Sequence, residues 1–313
     1  MDELYPVFAK GRGKASMTKG ERKKILIGLA FISPWLLGFF IFYIYPFIAS
    51  IYYSLTVYHI ISPPEFVGLR NYVDLITRDP LFIKSIKNTL YYAGISLPLG
   101  IVTGVVIALL LNTRIRGMAF YRTIFFLPVI VPFAAHAILW KWILNPKFGI
   151  VNYFFGLLGV KNPPGWFQVA GWSKPGLIVM AIWASGQAII IYLAGLQDIP
   201  ETLYEVADLD GANWFQKIRS ITLPMISNVI LFNLVMGLIH AFQFFTQPFI
   251  ISKGTGRPMD SMLMYNLYLY KQAFKFFNMG YACAMAWLLF VAIILITLFV
   301  FKTSKTWVFY GGE

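Results

Sequence analysis

The chain has 313 residues, 58% of them hydrophobic and 12% charged, with 26 Lys and Arg against 13 Asp and Glu, for a net charge of +13. A water-soluble domain carries about 25% charged residues, so this composition excludes an ordinary soluble globule and requires a lipid-facing exterior. One cysteine excludes a disulfide framework, and no Cys/His cluster points to a metal.

The chain opens on a basic tail (1–24) in which Lys10, Arg12, Lys14, Lys19, Arg22, Lys23 and Lys24 precede the first apolar run. Basic residues beside a span end favour the cytoplasmic side, so the net charge is read as topology and not as a nucleic-acid footprint. Five runs lack any charged residue: Ile25–Pro64, Asn88–Thr113, Pro175–Gln197, Met225–Ser252 and Phe276–Phe301. A sixth, Thr123–Leu144, holds Lys141 alone, near its outer end. Each is long enough to cross about 30 Å of hydrocarbon.

Span 1 (25–53) is far longer than the apolar core of a cleaved signal peptide, and Pro34 and Pro46 are candidate kinks. An outer loop (54–87) ends in an amphipathic stretch, Asn71–Lys87, suited to the membrane surface or to a solvated loop helix. Span 2 (88–111) carries Gly100, Gly104 and Ala108, whose four-residue spacing favours close helix packing. An inner turn (112–122) with Arg114, Arg116 and Arg122 leads to span 3 (123–144), an outer loop (145–174) and span 4 (175–196). A longer inner loop (197–224), span 5 (225–250), a third outer loop (251–277), span 6 (278–301) and a tail (302–313) complete the chain. The prediction is an all-α membrane protein of about six transmembrane helices, one transmembrane domain over 25–301, with both termini cytoplasmic.

The inner loop 197–224 holds five of the thirteen acidic residues. Asp198, Glu201, Glu205 and Asp208 share one face of a predicted helix, and Ile199, Leu203 and Val206 another. Pro200 suits its first turn, Gly211 a C-terminal cap, and Asn213 the cap of a second short helix with Lys217 and Arg219. The pattern fits a docking helix for a soluble partner or a solvated, charge-decorated loop.

Glu205–Val206–Ala207, Gly211 and Ile221-x-Leu223–Pro224 resemble, in spacing, the EAA loop of binding-protein-dependent ABC importer permeases, with Val206 in place of the usual alanine. Gly68–Tyr72, Asn88–Leu90 and Tyr121–Pro128 resemble motifs of the sugar-permease branch, and the maltose-permease F-like half is the most similar subtype. Gly254–Pro258 departs from that branch's Gly-Gly-Pro turn, which weakens transfer of substrate identity.

The resemblance implies a coupling helix between spans 4 and 5, about residues 200–213, inserted into an ATPase subunit. Glu201, Glu205, Ala207, Asp208, Gly211, Ala212, Leu223 and Pro224 would carry that coupling. It further implies a second permease subunit in a heterodimer, two ATP-binding subunits, an extracytoplasmic solute-binding protein and a bacterial inner membrane. ATP and Mg would sit on the partners, with no cofactor and no catalytic residue in this chain; Gly11–Lys14 lacks the earlier glycine of a phosphate loop. Transport would proceed by alternating access, and the cargo would be a carbohydrate, with an oligosaccharide, neutral or acidic, expected.

Sugars are held by aromatic faces and neutral hydrogen-bonding groups, and the resemblance directs attention to spans 4 and 5. Span 4 offers Trp183, Ser185, Gln187 and Tyr192; span 5 offers Asn233, His240, Gln243, Phe244 and Gln247. Of these, Trp183, Gln187, Tyr192, Asn233, Gln243 and Phe244 are the candidate pathway residues, with helix-to-helix bonding and packing as the alternative for each. His136 and His240 read as packing residues, and Lys141 either snorkels or meets an acidic sugar. The rivals are an ion-coupled secondary transporter, which needs intramembrane acids, a membrane-embedded transferase, which needs a His/Asp/Glu constellation, and an ion channel. None of these signatures is present.

Overall fold

A computed structural model describes residues 19–113 and 115–309. Lys10, Arg12, Lys14, Arg114 and the last four residues of the C-terminal tail lie outside them. The described chain divides between Tyr52 and Tyr53 into two units.

In the first unit α1 (Lys19–Phe39) passes through a π turn, Phe40–Ile44, into α2 (Tyr45–Ser54), and Lys23–Ser54 is long and apolar enough to cross a membrane. Trp35, Phe39 and Tyr43 stack at four-residue spacing, with centroids 5.3 and 5.9 Å apart. The widened turn falls just ahead of Pro46, where the missing N–H interrupts the regular ladder.

The second unit begins with a short antiparallel ribbon, β1 (Thr56–Val57) on β2 (Glu65–Phe66), in the register Thr56↔Phe66 and Val57↔Glu65. The next segment explains the first branch motif. Asn71 on α3 (Arg70–Thr77) donates from Nδ2 to the Ser54 and Thr56 carbonyls at 2.9 and 2.8 Å, and the Tyr72 hydroxyl donates to Ser54 Oγ at 2.8 Å. The predicted amphipathic helix over 71–87 is split. Asp79 accepts from the Leu81 and Phe82 amides at 3.0 Å and starts a new helix, α4 (Pro80–Leu111), with Pro80 in its first turn. The capping carboxylate and the proline together override continuity. At 1.5 Å per residue α4 is about 48 Å long, and Pro98 lies within it.

Spans 3 and 4 are broken where the prediction had straight helices. α5 (Met118–Ile130) and α6 (Phe133–Ile143) bend by 107° across Val131–Pro132, because a proline with no N–H starts the second piece. After α7 (Ile150–Leu157) and a 3₁₀ turn (Trp166–Gln168), α8 (Ala170–Trp183) and α9 (Gly186–Gln197) bend by 42° at Ala184–Ser185. Gly186 allows this approach: a Cβ there would meet Val129 Cγ2 at 2.8 Å and the Phe125 carbonyl at 2.9 Å. The inner loop contributes α10 (Glu201–Leu209), α11 (Trp214–Lys217), a π turn (Ile218–Thr222) and α12 (Leu223–Met225). α13 (Ser227–Phe242) and α14 (Thr246–Ser252) together make the fifth span, and α16 (Met279–Ser304) the sixth. Counting each bent pair as one, six spans result.

The predicted third outer loop, 251–277, carries much of the core at this end. Met262, Leu263, Met264, Tyr265, Leu267 and Tyr268 are all buried, and several pack with Leu75, Phe82, Met285 and Leu289. The segment includes α15 (Tyr265–Tyr270) and a π turn, Lys271–Lys275. Two of its non-helical carbonyls and the first amide of α15 are bonded by side chains of α4. Asn88 donates to the Asp260 and Leu263 carbonyls at 2.8 and 3.1 Å, and Thr89 Oγ1 accepts from the Tyr265 amide at 2.9 Å. Ser173 Oγ donates to Ser261 Oγ at 2.7 Å. The Tyr268 and Tyr281 hydroxyls converge on Asp79 Oδ2 at 2.6 and 2.8 Å. Burial and the bond to Asp79 push the Tyr268 pKa up, so it remains a donor.

At the opposite, inner end Val105, Ala108, Leu111, Ile189, Tyr192 and Leu196 form a second core between α4 and α9. Gly104 packs there, since an added Cβ would sit 2.9 Å from the Tyr192 ring, whereas Gly100 faces open space. Near the outer end, a Cβ at Gly280 would lie 2.0 Å from the Thr56 carbonyl and 3.0 Å from that of Tyr53. Both neighbours are backbone. Gly280→Ala is therefore expected to destabilise the protein by about 1–3 kcal/mol, whereas Gly94→Ala, in open space within α4, should gain about 0.5–1 kcal/mol from helix propensity. Thermal unfolding of both variants in detergent checks the opposite signs.

Candidate functional site

Two features stand apart from packing: a cavity inside the bundle and the helical loop at its inner end.

The cavity has a volume of about 410 Å³ and is bounded by α4, α6, α8, α9 and α13. Tyr92, Ser96 and Gly100 present one face of α4, four residues apart. Asn233, Gly237 and His240 do the same from α13, with Gln243, Phe244 and Gln247 at the break between α13 and α14. The Tyr92 and Phe244 rings stack with centroids 4.2 Å apart and planes 11° from parallel. Asn233 Nδ2 donates to the Val229 carbonyl of its own helix at 3.0 Å, leaving its Oδ1 for other partners. Among the described residues that line the cavity there is no carboxylate, lysine, arginine or cysteine.

Of the predicted pathway residues, Tyr192, Asn233, Gln243 and Phe244 line this cavity together. Trp183 and Gln187 do not. Trp183 stacks on His136 at 5.2 Å and meets the Trp140 edge at 5.9 Å, while Gln187 is exposed on α9. Lys141 is half-buried in the last turn of α6. Tyr92, Ser96 and His136 were not among the predicted pathway residues. The i, i+4, i+8 spacing of Tyr92, Ser96 and Gly100 in span 2 was the available signal. Two lining groups, His136 Nε2 and the Tyr192 hydroxyl, are buried with no hydrogen-bond partner. Aromatic faces with neutral donors and acceptors suit a polar, uncharged ring. They do not form an acid–base pair.

The loop is a preformed helical hairpin. Pro200 is the N-cap of α10 and not a first-turn residue, and Asp198 caps the end of α9. The predicted four-acid face therefore reduces to Glu201, Glu205 and Asp208, because the turn at Ile199–Pro200 separates Asp198 from the helix. Gly211 adopts φ +73°, and the Ala212 amide bonds back to the Ala207 carbonyl at 2.9 Å, closing α10. Asn213 and Gln216 form a reciprocal capping box at 3.0 and 2.7 Å. An ion pair from Lys217 to Asp208 and a hydroxyl contact between Tyr204 and Thr222 at 2.9 Å tie the two arms.

Glu201, Glu205, Asp208 and Gly211 are exposed, Ala207 and Ala212 half-buried, and Leu223 and Pro224 lie at the entry to α13. Of the predicted apolar face, Ile199 is buried against the inner core. Leu203 and Val206 are exposed, joined by Leu209 (88%), Trp214 (71%) and Phe215 (65%). Five exposed large apolar side chains on two neighbouring short helices are candidates for a contact surface. Leu209, Trp214 and Phe215 were not part of the predicted apolar face, which was drawn on Ile199, Leu203 and Val206 alone.

Comparison with known proteins places these features. Residues 97–305 match the family model described as binding-protein-dependent transport system inner membrane component. The chain is similar to the probable ABC transporter permease protein YesP of Bacillus subtilis (strain 168), 42% identical over 306 residues, covering 97% of this chain and 99% of that one. It is also similar to the lactose transport system permease protein LacF of Rhizobium radiobacter, 29% identical over 282 residues, covering 89% and 94%. Among solved structures, it matches a chain in the crystal structure of a bacterial alginate ABC transporter in complex with an alginate pentasaccharide-bound periplasmic protein. That match has TM-score 0.80 and 27% identity, and covers 92% of this chain and 96% of the other.

The orphan hydroxyl gives a stability test. Tyr192→Phe removes an unpaired buried group and should leave stability unchanged or raise it by about 1 kcal/mol. Tyr265→Phe breaks a 2.7 Å bond to the Met285 carbonyl and should lower it by about 1–3 kcal/mol. Denaturation of the two variants in one detergent compares them directly.

Proposed function

This chain belongs to the family of binding-protein-dependent transport system inner membrane components, and from that premise we propose that it is the permease subunit of an ABC importer for sugars, with an oligosaccharide as cargo. The similarity to a permease named for lactose and to a transporter crystallised with an alginate pentasaccharide on its periplasmic protein supports the cargo class. So does a cavity lined by a stacked aromatic pair and neutral amides.

The observation that carries the coupling assignment is the apolar face of Leu203, Val206, Leu209, Trp214 and Phe215 on the capped hairpin. In this reading the hairpin docks into a cytoplasmic ATPase subunit, two of which bind ATP and Mg. Glu201, Glu205 and Asp208 make charged contacts at the socket, and Gly211 sets the turn between the arms. ATPase closure displaces the hairpin, and Leu223–Pro224 pass the motion into α13. A second, different permease chain completes the pathway, and a periplasmic solute-binding protein delivers cargo to the outer face. Both termini then lie in the cytoplasm of a bacterial cell.

Fully burying one leucine is worth about 1.5–3 kcal/mol, so Leu209→Asp should weaken ATPase association by tenfold or more. Gly211→Val, which forces a β-branched residue to φ +73°, should do the same. Co-purification of the ATPase with each variant, alongside wild type, measures this; undiminished association of both variants would sink the docking assignment. Orientation is checked separately. A single cysteine in place of Thr113, exposed in the inner turn, in a Cys283→Ala background should react with a membrane-impermeant maleimide in inverted vesicles and not in intact cells.

A further inference from the structure

The outer end of the bundle concentrates positive charge around one carboxylate. Lys84 Nζ lies 3.7 Å from Asp260 Oδ2, with both side chains partly exposed. Lys174 Nζ donates to the neutral Asn88 Oδ1 at 3.2 Å and lies 4.7 Å above the Tyr91 ring, with no carboxylate partner among the described residues and with Lys84 close enough to repel it. Asn88 connects the two, since its Nδ2 donates to the Asp260 carbonyl at 2.8 Å. Lys271 donates to the Thr255 carbonyl at 3.3 Å. Burial holds its pKa below the usual lysine value, with Asp260 opposing and Lys275 adding to the effect. Among the described residues, Asp260 thus stands against Lys84 and Lys271, and Lys174 is held by a neutral amide.

The cluster borders the cavity. Asn88 precedes the cavity-lining Tyr92 by one helical turn on the same face of α4, and Lys174 precedes the cavity-lining Leu177 by one turn on α8. It also sits where the segment leading into the buried residues Ser261–Met264 is fastened, through Asn88 to Asp260 and Ser173 to Ser261. The cavity lining itself carries no fixed charge. A neutral sugar has no use for uncompensated cations at this threshold, whereas a sugar acid finds its counter-charge there, in surroundings less screened than open solvent.

Building on the assignment of saccharide import, we propose that Lys174, supported by Lys84 and Lys271, forms a carboxylate-recognition site at the outer threshold of the cavity, and that the cargo is an acidic, uronate-bearing oligosaccharide. Entry of the sugar carboxylate would replace the Asn88 amide as the partner of Lys174, and releasing Asn88 would loosen the segment it fastens. No covalent step is involved.

The test uses the assembled transporter in lipid nanodiscs and two probes of equal length, trigalacturonate and its uncharged, fully methyl-esterified form. At low ionic strength wild type should bind trigalacturonate about tenfold more tightly than the ester. Lys174→Met should reduce that preference to about twofold or less, and Lys174→Arg should keep it. If Lys174→Met weakens both probes equally, Lys174 merely fastens the segment and the proposal fails. It fails also if the preference survives in Lys174→Met, or if wild type shows none. Saccharide-stimulated ATPase activity separates the two levels: stimulation by neutral saccharides with no preference for the acid overturns this proposal alone, and absence of stimulation by any saccharide overturns import as well.

Discussion

Asn88 and Thr89, side by side in the outer half of α4, hydrogen-bond to backbone groups of residues 260–265. Irregular chain buried among apolar residues must find a partner for each N–H and C=O it withdraws from water, at a cost of about 1–3 kcal/mol for each one left unmade. These two side chains supply that need where the 256–264 segment has neither helix nor strand. With the segment fixed, Leu263, Tyr265 and Leu267 can enter the core beside Phe82, Met285 and Leu289, and α16 is brought against α3 and the ribbon. Asp79 reinforces the arrangement by serving simultaneously as helix cap and as acceptor for two tyrosines.

Spans 1, 2, 5 and 6 were readable because hydropathy over a long window reports burial in lipid or protein, and these helices run far enough for the average to be decisive. The breaks in spans 3 and 4 were not, since an apolar residue adds the same increment whichever way the helix axis points. Pro128 and Pro132 were visible as letters, but only the angle between α5 and α6 gives them meaning. The burial of part of the third outer loop was not legible for a related reason: Lys271 and Lys275 dilute an apolar stretch that tertiary hydrogen bonds from 170 or more residues away help hold inside. Locally encoded features of the inner loop fared better. The Asn213–Gln216 box and the left-handed Gly211 follow from neighbours in sequence, while the displacement of Asp198 onto the end of α9 depended on where Pro200 set the helix start.

The cavity residues divide along the same line. Asn233, Gln243 and Phe244 belong to a single polar-dotted stretch and could be selected on chemistry alone. Trp183 has equally suitable chemistry, but its ring is taken up by His136 and Trp140. Side-chain type proposes a contact; the rotation of its helix decides it. The lining is neutral and the residues one turn outward of it on α4 and α8 include a lysine, so aromatic faces and charge occupy different levels of the bundle.

Pro98 divides α4 between its outer and inner attachments. With no N–H at position 98, the carbonyl one turn earlier loses its usual partner, so α4 has a weakened joint there. On one side of it lie Asn88, Thr89 and the basic cluster; on the other, Gly104 against Tyr192 and Leu111, whose carbonyl accepts from Arg122 at 3.0 Å. Ser96, Leu97 and Gly100, which flank the joint, are cavity wall. Flexing at that joint would tilt the outer fastening against the inner one and reshape the cavity in the same movement, so a ligand seated there would act as a splint.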